Sequence, residues 1–169
     1  MIKRKPLSKY SKLADFGREL LYKKSLLDGL PHISQYAKEI LEADRCSIFI
    51  YDNTKNELWT TLADGVEKII VDSEKGLVGE TLKLKKPILE NDPYSNKCFL
   101  SEVDMQTGYK TQSVITAPVF DSNKEIQGIL QLLNKEGGFS EDDVKFMVFF
   151  AHYISGFLEL VNVYSDIQD

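Results

Sequence analysis

The chain has 169 residues, 43% of them hydrophobic, enough for one well-packed domain and too few for two ordinary ones. A net charge of −5 and an isoelectric point near 5.2 give no general basic field for nucleic acid phosphates or an anionic membrane, since the N-terminal lysines and Arg4 make only a small local patch. No apolar run reaches about 18 uncharged residues and no signal-peptide core opens the chain, so secretion and membrane spanning are disfavoured and a cytoplasmic location is expected.

Leu7, Tyr10, Leu13, Phe16, Leu20 and Leu21 recur at helical spacing, which predicts a helix over residues 7–24 that Gly17 weakens. Pro31 suits the first turn of a second helix, whose apolar face carries Ile33, Tyr36, Ala37, Ile40 and Leu41. Strands are expected at 45–51, 57–62 and 68–71, the first two joined by a turn through Asp52 and Asn53. A short helix over 77–84 and a strand at 87–90 follow. Residues 91–112 are polar and too many for an idle loop, so they read as a binding lid with helical turns of its own. Strands at 113–120 and 125–133 are linked by a hairpin turn, Asp121-Ser122-Asn123-Lys124. There are no internal repeats, and strands grouped between terminal helices give an α+β fold with a largely antiparallel sheet.

Ser140 then reads as a helix N-cap, with Asp143 at the fourth position of a capping box. The acidic trio Glu141, Asp142 and Asp143 is accounted for by the positive end of that helix without a metal. Two apolar stripes run along the helix. Val144, Met147, Ala151, Ile154, Leu158 and Val161 form one, and Phe146, Phe150, Tyr153, Phe157, Leu160 and Tyr164 the other. Each stripe needs a cover, one from the sheet and one from a partner helix, either residues 7–21 of the same chain or a second subunit in a homodimer. Nothing halts the helix before Asp169, so it is free to run on into an effector domain.

Ser47 and Gln131 interrupt otherwise apolar strands, and an unpaired buried polar group costs about 1–3 kcal/mol. They either bond to neighbouring backbone or line a pocket. Asp64 precedes Gly65, as in an ordinary turn, and Asp104 and Thr107 suit the ends of a short lid helix. The two cysteines, Cys46 and Cys98, lack metal-ligand spacing, and Cys46 reads as a small core residue.

The order Asn134-Lys135, a gap, Phe139, three residues, Asp143 resembles the N-K-x-F-x-x-x-D-E signature of GAF domains from cyclic-nucleotide phosphodiesterases and related cyclases, with Val144 in place of the final glutamate. Residues 43–52 resemble the family's first strand, and Glu57-Leu58 with Ala63-Asp64-Gly65 its second. Gly76-Leu77-Val78-Gly79 is similar to the start of its pocket helix, and residues 91–94 and 102–111 to its lid. The resemblance spans 26–164. It implies a domain over 26–165 after an N-terminal helix or linker over 1–25, with five or six mainly antiparallel strands, terminal helices on one face, and a ligand pocket under short helices and a lid on the other.

It further implies a regulatory sensor for a cyclic purine mononucleotide, cyclic GMP or cyclic AMP, that signals through its terminal helices, without catalysis, cofactor or metal. Ser47 aligns with a base contact and Gln131 with a polar pocket position. Asp64 aligns with the aspartate that holds the purine edge, where a carboxylate accepts from two adjacent guanine donors. The amides of Leu77 and Val78 are placed to receive the cyclic phosphate without a basic side chain, and Asp104, Thr107 and Thr111 to surround ribose and phosphate. Ala63 and Leu100 replace aromatic residues found in some relatives. The alternative is a dimerisation module whose pocket is empty or takes another metabolite. Methionine sulfoxide reduction expects clustered cysteines, bilin attachment a Cys-His pair and haem a pocket histidine. Cys98 is instead followed by Phe99, and His32 and His152 fall on outer helices.

Overall fold

A strand that is apolar at consecutive positions needs cover on both faces, and the run beginning at Ile126 is of that kind. The structure is a computed structural model that describes residues 9–20, 26–61 and 68–168, with side chains at 11–19, 29–60 and 70–160. In it the run forms β6 (Ile126–Lys135), flanked by β1 (Ala43–Asp52) and β5 (Val114–Phe120). Beyond β1 stand β2 (Glu57–Thr61) and β3 (Lys68–Val71), and beyond β5 stands β4 (Ile88–Glu90). The six strands run in the order β3-β2-β1-β6-β5-β4, antiparallel at every pairing. The expected α+β architecture is the one found.

Alternation along the strands sends two sets of side chains to opposite faces. Ile48, Ile50, Ile115, Ala117, Leu130 and Leu132 point to one, where α1 (Lys9–Leu20), α2 (Leu26–Ile40) and α5 (Glu141–Gln168) cover them. Leu13 and Phe16 of α1, Ile33 of α2 with Leu41 just after it, and Phe146, Met147 and Phe150 of α5 complete this core. Burying each of the large side chains contributes about 1.5–3 kcal/mol. Phe49, Leu58 and Ile129 point to the other face, beneath Val78 and Leu82 of α3 (Gly76–Leu84). The lid crosses that same face as a 3₁₀ turn at Pro93–Ser95 and a short helix, α4 (Ser101–Thr107).

Three features differ from the sequence expectation. Pro31 lies inside α2 rather than in its first turn. An interior proline costs about 3 kcal/mol, and burial of Leu30, Ile33 and Ala37 against the sheet outweighs it. Gly17 is more than a weak point, because the Tyr153 hydroxyl of α5 occupies the place that a Cβ there would take. Finally, the second stripe of α5 is divided. Phe146 and Phe150 are fully buried, with the Phe16 ring of α1 5.9 Å from that of Phe150, whereas Tyr153 and Leu160 stay exposed. The same chain thus covers the first half of the stripe, and in the second half Phe157 still packs against the core while Tyr153 and Leu160 are exposed among the described residues. Leu7, Leu21, Leu62, Ala63, Asp64 and Gly65 lie outside the described residues, as do the side chains of Tyr10, Leu20, Val161 and Tyr164. Among the described residues, no helix is long and apolar enough to cross a membrane.

Candidate functional site

Between the sheet, α3 and the lid lies a cavity of about 280 Å³. Its floor is sheet: Phe49 from β1, Val114 from β5, and Gln131 and Leu133 from β6. Register explains the grouping. Gln131 pairs with Ser47 on one side and Thr116 on the other, and Leu133 with Arg45 and Val114, so these residues share a face. Leu77 and Val78 of α3 make a wall, and Phe99, Leu100 and Val103 of the lid make the roof.

The start of α3 lines the cavity through Gly76, Leu77 and Val78, and Lys75, its N-cap, contributes no side-chain cap to the first amides of this nine-residue helix. Gly76 takes a φ of +73°, the left-handed region that glycine tolerates, and a Cβ there would lie 3.2 Å from Leu100 Cδ1 of the roof. The helix is held on the sheet by a buried hydroxyl pair. Thr81 Oγ1 donates to Leu77 O at 2.8 Å and lies 2.5 Å from Thr116 Oγ1. Lys75 also lines the cavity, with Nζ 3.8 Å from Asp72 Oδ2, beyond hydrogen-bond reach. Sequence reasoning passed over Lys75 and placed no basic side chain here. Its position immediately before Gly76 was the available signal.

Asp104 and Thr111 also line the cavity, but they face each other as much as any guest. Thr111 N and Oγ1 donate to Asp104 at 2.8 and 2.9 Å, and Tyr94 Oη donates to Asp104 Oδ2 at 2.6 Å. Burial pushes the Asp104 carboxyl upward. The bonds from Tyr94 and Thr111 and the charge of Arg45 outweigh it, leaving the group below the ordinary carboxylate range. Thr107 is not in the cavity. It sits exposed as the last residue of α4, where its hydroxyl turns back on its own helix, donating to Val103 O and accepting from Tyr109 N. Ser47 is half-buried on the floor side without being a lining residue, and Asp64 lies outside the described residues.

Leu100, standing where some relatives carry a lid aromatic, is a roof residue, and Phe49 and Phe99 supply the aromatic surface. Phe49 was legible as the residue two places after Ser47; nothing in the sequence singled out Phe99. Neither a histidine nor a cysteine lines the cavity among the described residues. Cys46 packs on the helix side of the sheet, where burial pushes its thiol up to about 12. Cys98 belongs to the lid, and burial followed by the nearby Glu80 carboxylate raises it too. The sheet separates the two thiols, and neither is predisposed to ionise.

The four signature residues form a corner beside the lid rather than part of the cavity. Asn134 adopts a φ of +59° and turns its carboxamide on the lid's last residues. Oδ1 accepts from Gln112 N at 2.6 Å and Ser113 N at 3.1 Å, and Nδ2 donates to Lys110 O at 2.8 Å. Lys135 Nζ stands 3.0 and 3.1 Å from the Asp143 oxygens, and Asp143 Oδ2 also accepts from Ser140 N at 2.8 Å, closing the capping box at the start of α5. Burial raises the Asp143 carboxyl, and the bonds from Ser140 and Lys135 more than reverse this, so it too lies below the ordinary range. Phe139 is buried, and its backbone exchanges two 3.0 Å bonds with the Asn91 carboxamide at the lid's beginning. Both ends of the lid are therefore moored to one corner. Its final turn is also tied to β1, where Tyr109 Oη donates to Asp44 and Arg45 stacks 3.7 Å above the ring.

The GAF domain model of protein families matches residues 25–158. Among curated proteins, the chain is 31% identical over 122 residues to the dual 3',5'-cyclic-AMP and -GMP phosphodiesterase 11A of Takifugu rubripes, covering 63% of this chain and 14% of that protein. It is 29% identical over 132 residues to the cGMP-specific 3',5'-cyclic phosphodiesterase of Drosophila virilis, covering 69% and 15%. The chain thus spans a small part of the relatives it matches. Among solved structures, the GAF domain of a phosphoenolpyruvate-protein phosphotransferase from Coxiella burnetii superimposes with a TM-score of 0.81 at 19% identity, over 95% of this chain and 98% of that one. The free methionine-R-sulfoxide reductase of Neisseria meningitidis does so with 0.71 at 14% identity, over 89% and 88%. At such identities the likeness concerns the fold.

Proposed function

The chain belongs to the GAF domain family, and on that premise we propose that it is a regulatory sensor domain taking a cyclic purine mononucleotide, cyclic GMP or cyclic AMP, in the cavity beneath its lid. The carrying observation is the distribution of polar groups around a largely apolar cavity: the uncapped start of α3 with Lys75 and Asp72, the Asp104–Thr111 pair toward the lid, and the Gln131 carboxamide on the floor. An anionic phosphate suits the amides of Leu77 and Val78, with Lys75 supplying the side-chain charge. A purine suits Phe49, Phe99 and Leu133, and Gln131 offers a donor and an acceptor to its edge. Asp64 joins the base contacts on the strength of the family resemblance and favours guanine, whereas Ser47, which does not line the cavity, is not among them. Thr111 and Asp104 stand beside the sugar and phosphate with most of their bonding capacity already used. The names of the curated relatives support this ligand class. No reaction is assigned to the chain, because its two thiols are apart and neither favours the thiolate.

To signal, the guest must favour one arrangement of the terminal helices over another, since equal affinity for both shifts nothing. Thermal melting of the ligand-stripped protein with each nucleotide tests the reading. At a hundredfold its dissociation constant a nucleotide stabilises by about 2.7 kcal/mol. Unchanged melting with both would remove cyclic mononucleotides from consideration. A second role, dimerisation, rests on a separate observation: Leu160 is exposed along α5 with part of Tyr153, and Gly156 between them faces open space. Spacings of three and four make a short apolar seam for a second copy of the helix. Sedimentation of a Leu160→Glu variant tests it, and an undiminished dimer would exclude this seam.

A further inference from the structure

Asp104 makes bonds that a ligand contact does not need. A carboxylate has about four acceptor positions, and three at Asp104 are taken by the chain itself, from opposite ends of the lid. Tyr94 comes from the lid's first turn and Thr111 from its last residues, while the roof residues Phe99, Leu100 and Val103 lie in sequence between Tyr94 and Asp104. Because Asn91 and Asn134 fix the flanks, a lid movement that uncovers the cavity falls within this loop.

The two sides of the clasp are unequal. Thr111 is 2% exposed and holds Asp104 through both its amide and its hydroxyl. Tyr94 is 52% exposed and holds through one hydroxyl, its ring edge-on to Phe99 at 5.3 Å. The Tyr94 side of the clasp is therefore the more open to water, and the doubly bonded, buried Thr111 side the more firmly held. Building on the sensor reading above, we infer that Tyr94 is the latch and Asp104 the buckle of the lid: a guest is admitted when the Tyr94–Asp104 bond parts while the Thr111 side stays fast. Tyr94 and Asp104 are then positioning residues, setting how long the roof stays shut and through it the rates of capture and release.

Tyr94→Phe removes the hydroxyl and keeps the ring on Phe99. Amide hydrogen exchange on the full chain without nucleotide is the first measurement. We expect exchange over residues 99–107 to accelerate on the order of tenfold, the effect of losing one charge-assisted hydrogen bond, with β1, β6 and α5 unchanged. Unchanged exchange at 99–107, or acceleration spread evenly over the domain, would overturn the latch. Stopped-flow binding of fluorescent cyclic GMP and cyclic AMP is the second. Association and dissociation should both quicken in Tyr94→Phe while the dissociation constant moves less than either rate; an altered affinity at constant rates would make Tyr94 a direct contact and refute the latch. Local acceleration of exchange in a protein that binds neither nucleotide would uphold the latch and sink the ligand assignment, so the two failures are distinguishable.

Discussion

Asn134→Ala tests whether the signature corner serves folding or ligand contact. The substitution removes three hydrogen bonds, of which the one to Ser113 N matters most, because Ser113 is 2% exposed and its amide loses an acceptor that water cannot easily replace. That loss costs about 1–3 kcal/mol, and the exposed bonds to residues 110 and 112 about 0.5 kcal/mol each. A further contribution of about 1 kcal/mol comes from the backbone, since alanine resists the φ of +59° that asparagine tolerates. The sum is about 3–5 kcal/mol. Asn134→Gly loses the same bonds without the backbone strain, so it should sit about 1 kcal/mol above the alanine variant. Equilibrium urea unfolding reads both, as lower midpoints at an unchanged slope. Variants within about 0.5 kcal/mol of the parent would mean that the clamp contributes nothing, and equal Ala and Gly values would remove the backbone part of the reasoning.

Lys135→Met should destabilise by roughly 2–4 kcal/mol, because the Asp143 side chain is only 8% exposed and keeps its charge without its partner; a midpoint unchanged in urea would mark the pair as incidental. Asp104 and Asp143 both lie below the unfolded carboxylate value of about 3.9, so their contribution is complete above about pH 4 and lost as pH falls further through their depressed folded values. The melting temperature should therefore drop between pH 4 and pH 2, less steeply in an Asp104→Asn/Asp143→Asn variant; parallel curves would discount both groups. Gly128→Ala should cost about 1–3 kcal/mol, as its Cβ would lie 2.7 Å from Phe49 O, whereas Gly156→Ala faces open space on α5 and should gain about 0.5–1 kcal/mol. Thermal melting ranks the pair, and the reverse order would contradict the packing. Lys75→Gln should weaken cyclic nucleotide binding roughly two- to fivefold in calorimetry and reduce its salt dependence, with no change in melting temperature; equal affinities at low salt would put Lys75 outside the site.

The sequence by itself determined the strands, the lid, the capping box and the family, because alternation, helical spacing, Ser140 with Asp143 and the Asn134–Asp143 signature are properties of neighbours along the chain. Its short-range logic also separated Gln131 and Ser47 as polar points in apolar strands. Only the tertiary structure decided which residues meet across the fold. Pairing register set Gln131 between Ser47 and Thr116, and lid packing gave Asp104 to Tyr94 and Thr111 while leaving Thr107 exposed. The place of Lys75 in the cavity lining and the division of the α5 stripe between Phe16 and open surface were likewise decided there. Such outcomes depend on contacts across turns of the lid or between separate elements, whose geometry is fixed by the packing of those elements and leaves no repeating pattern to read.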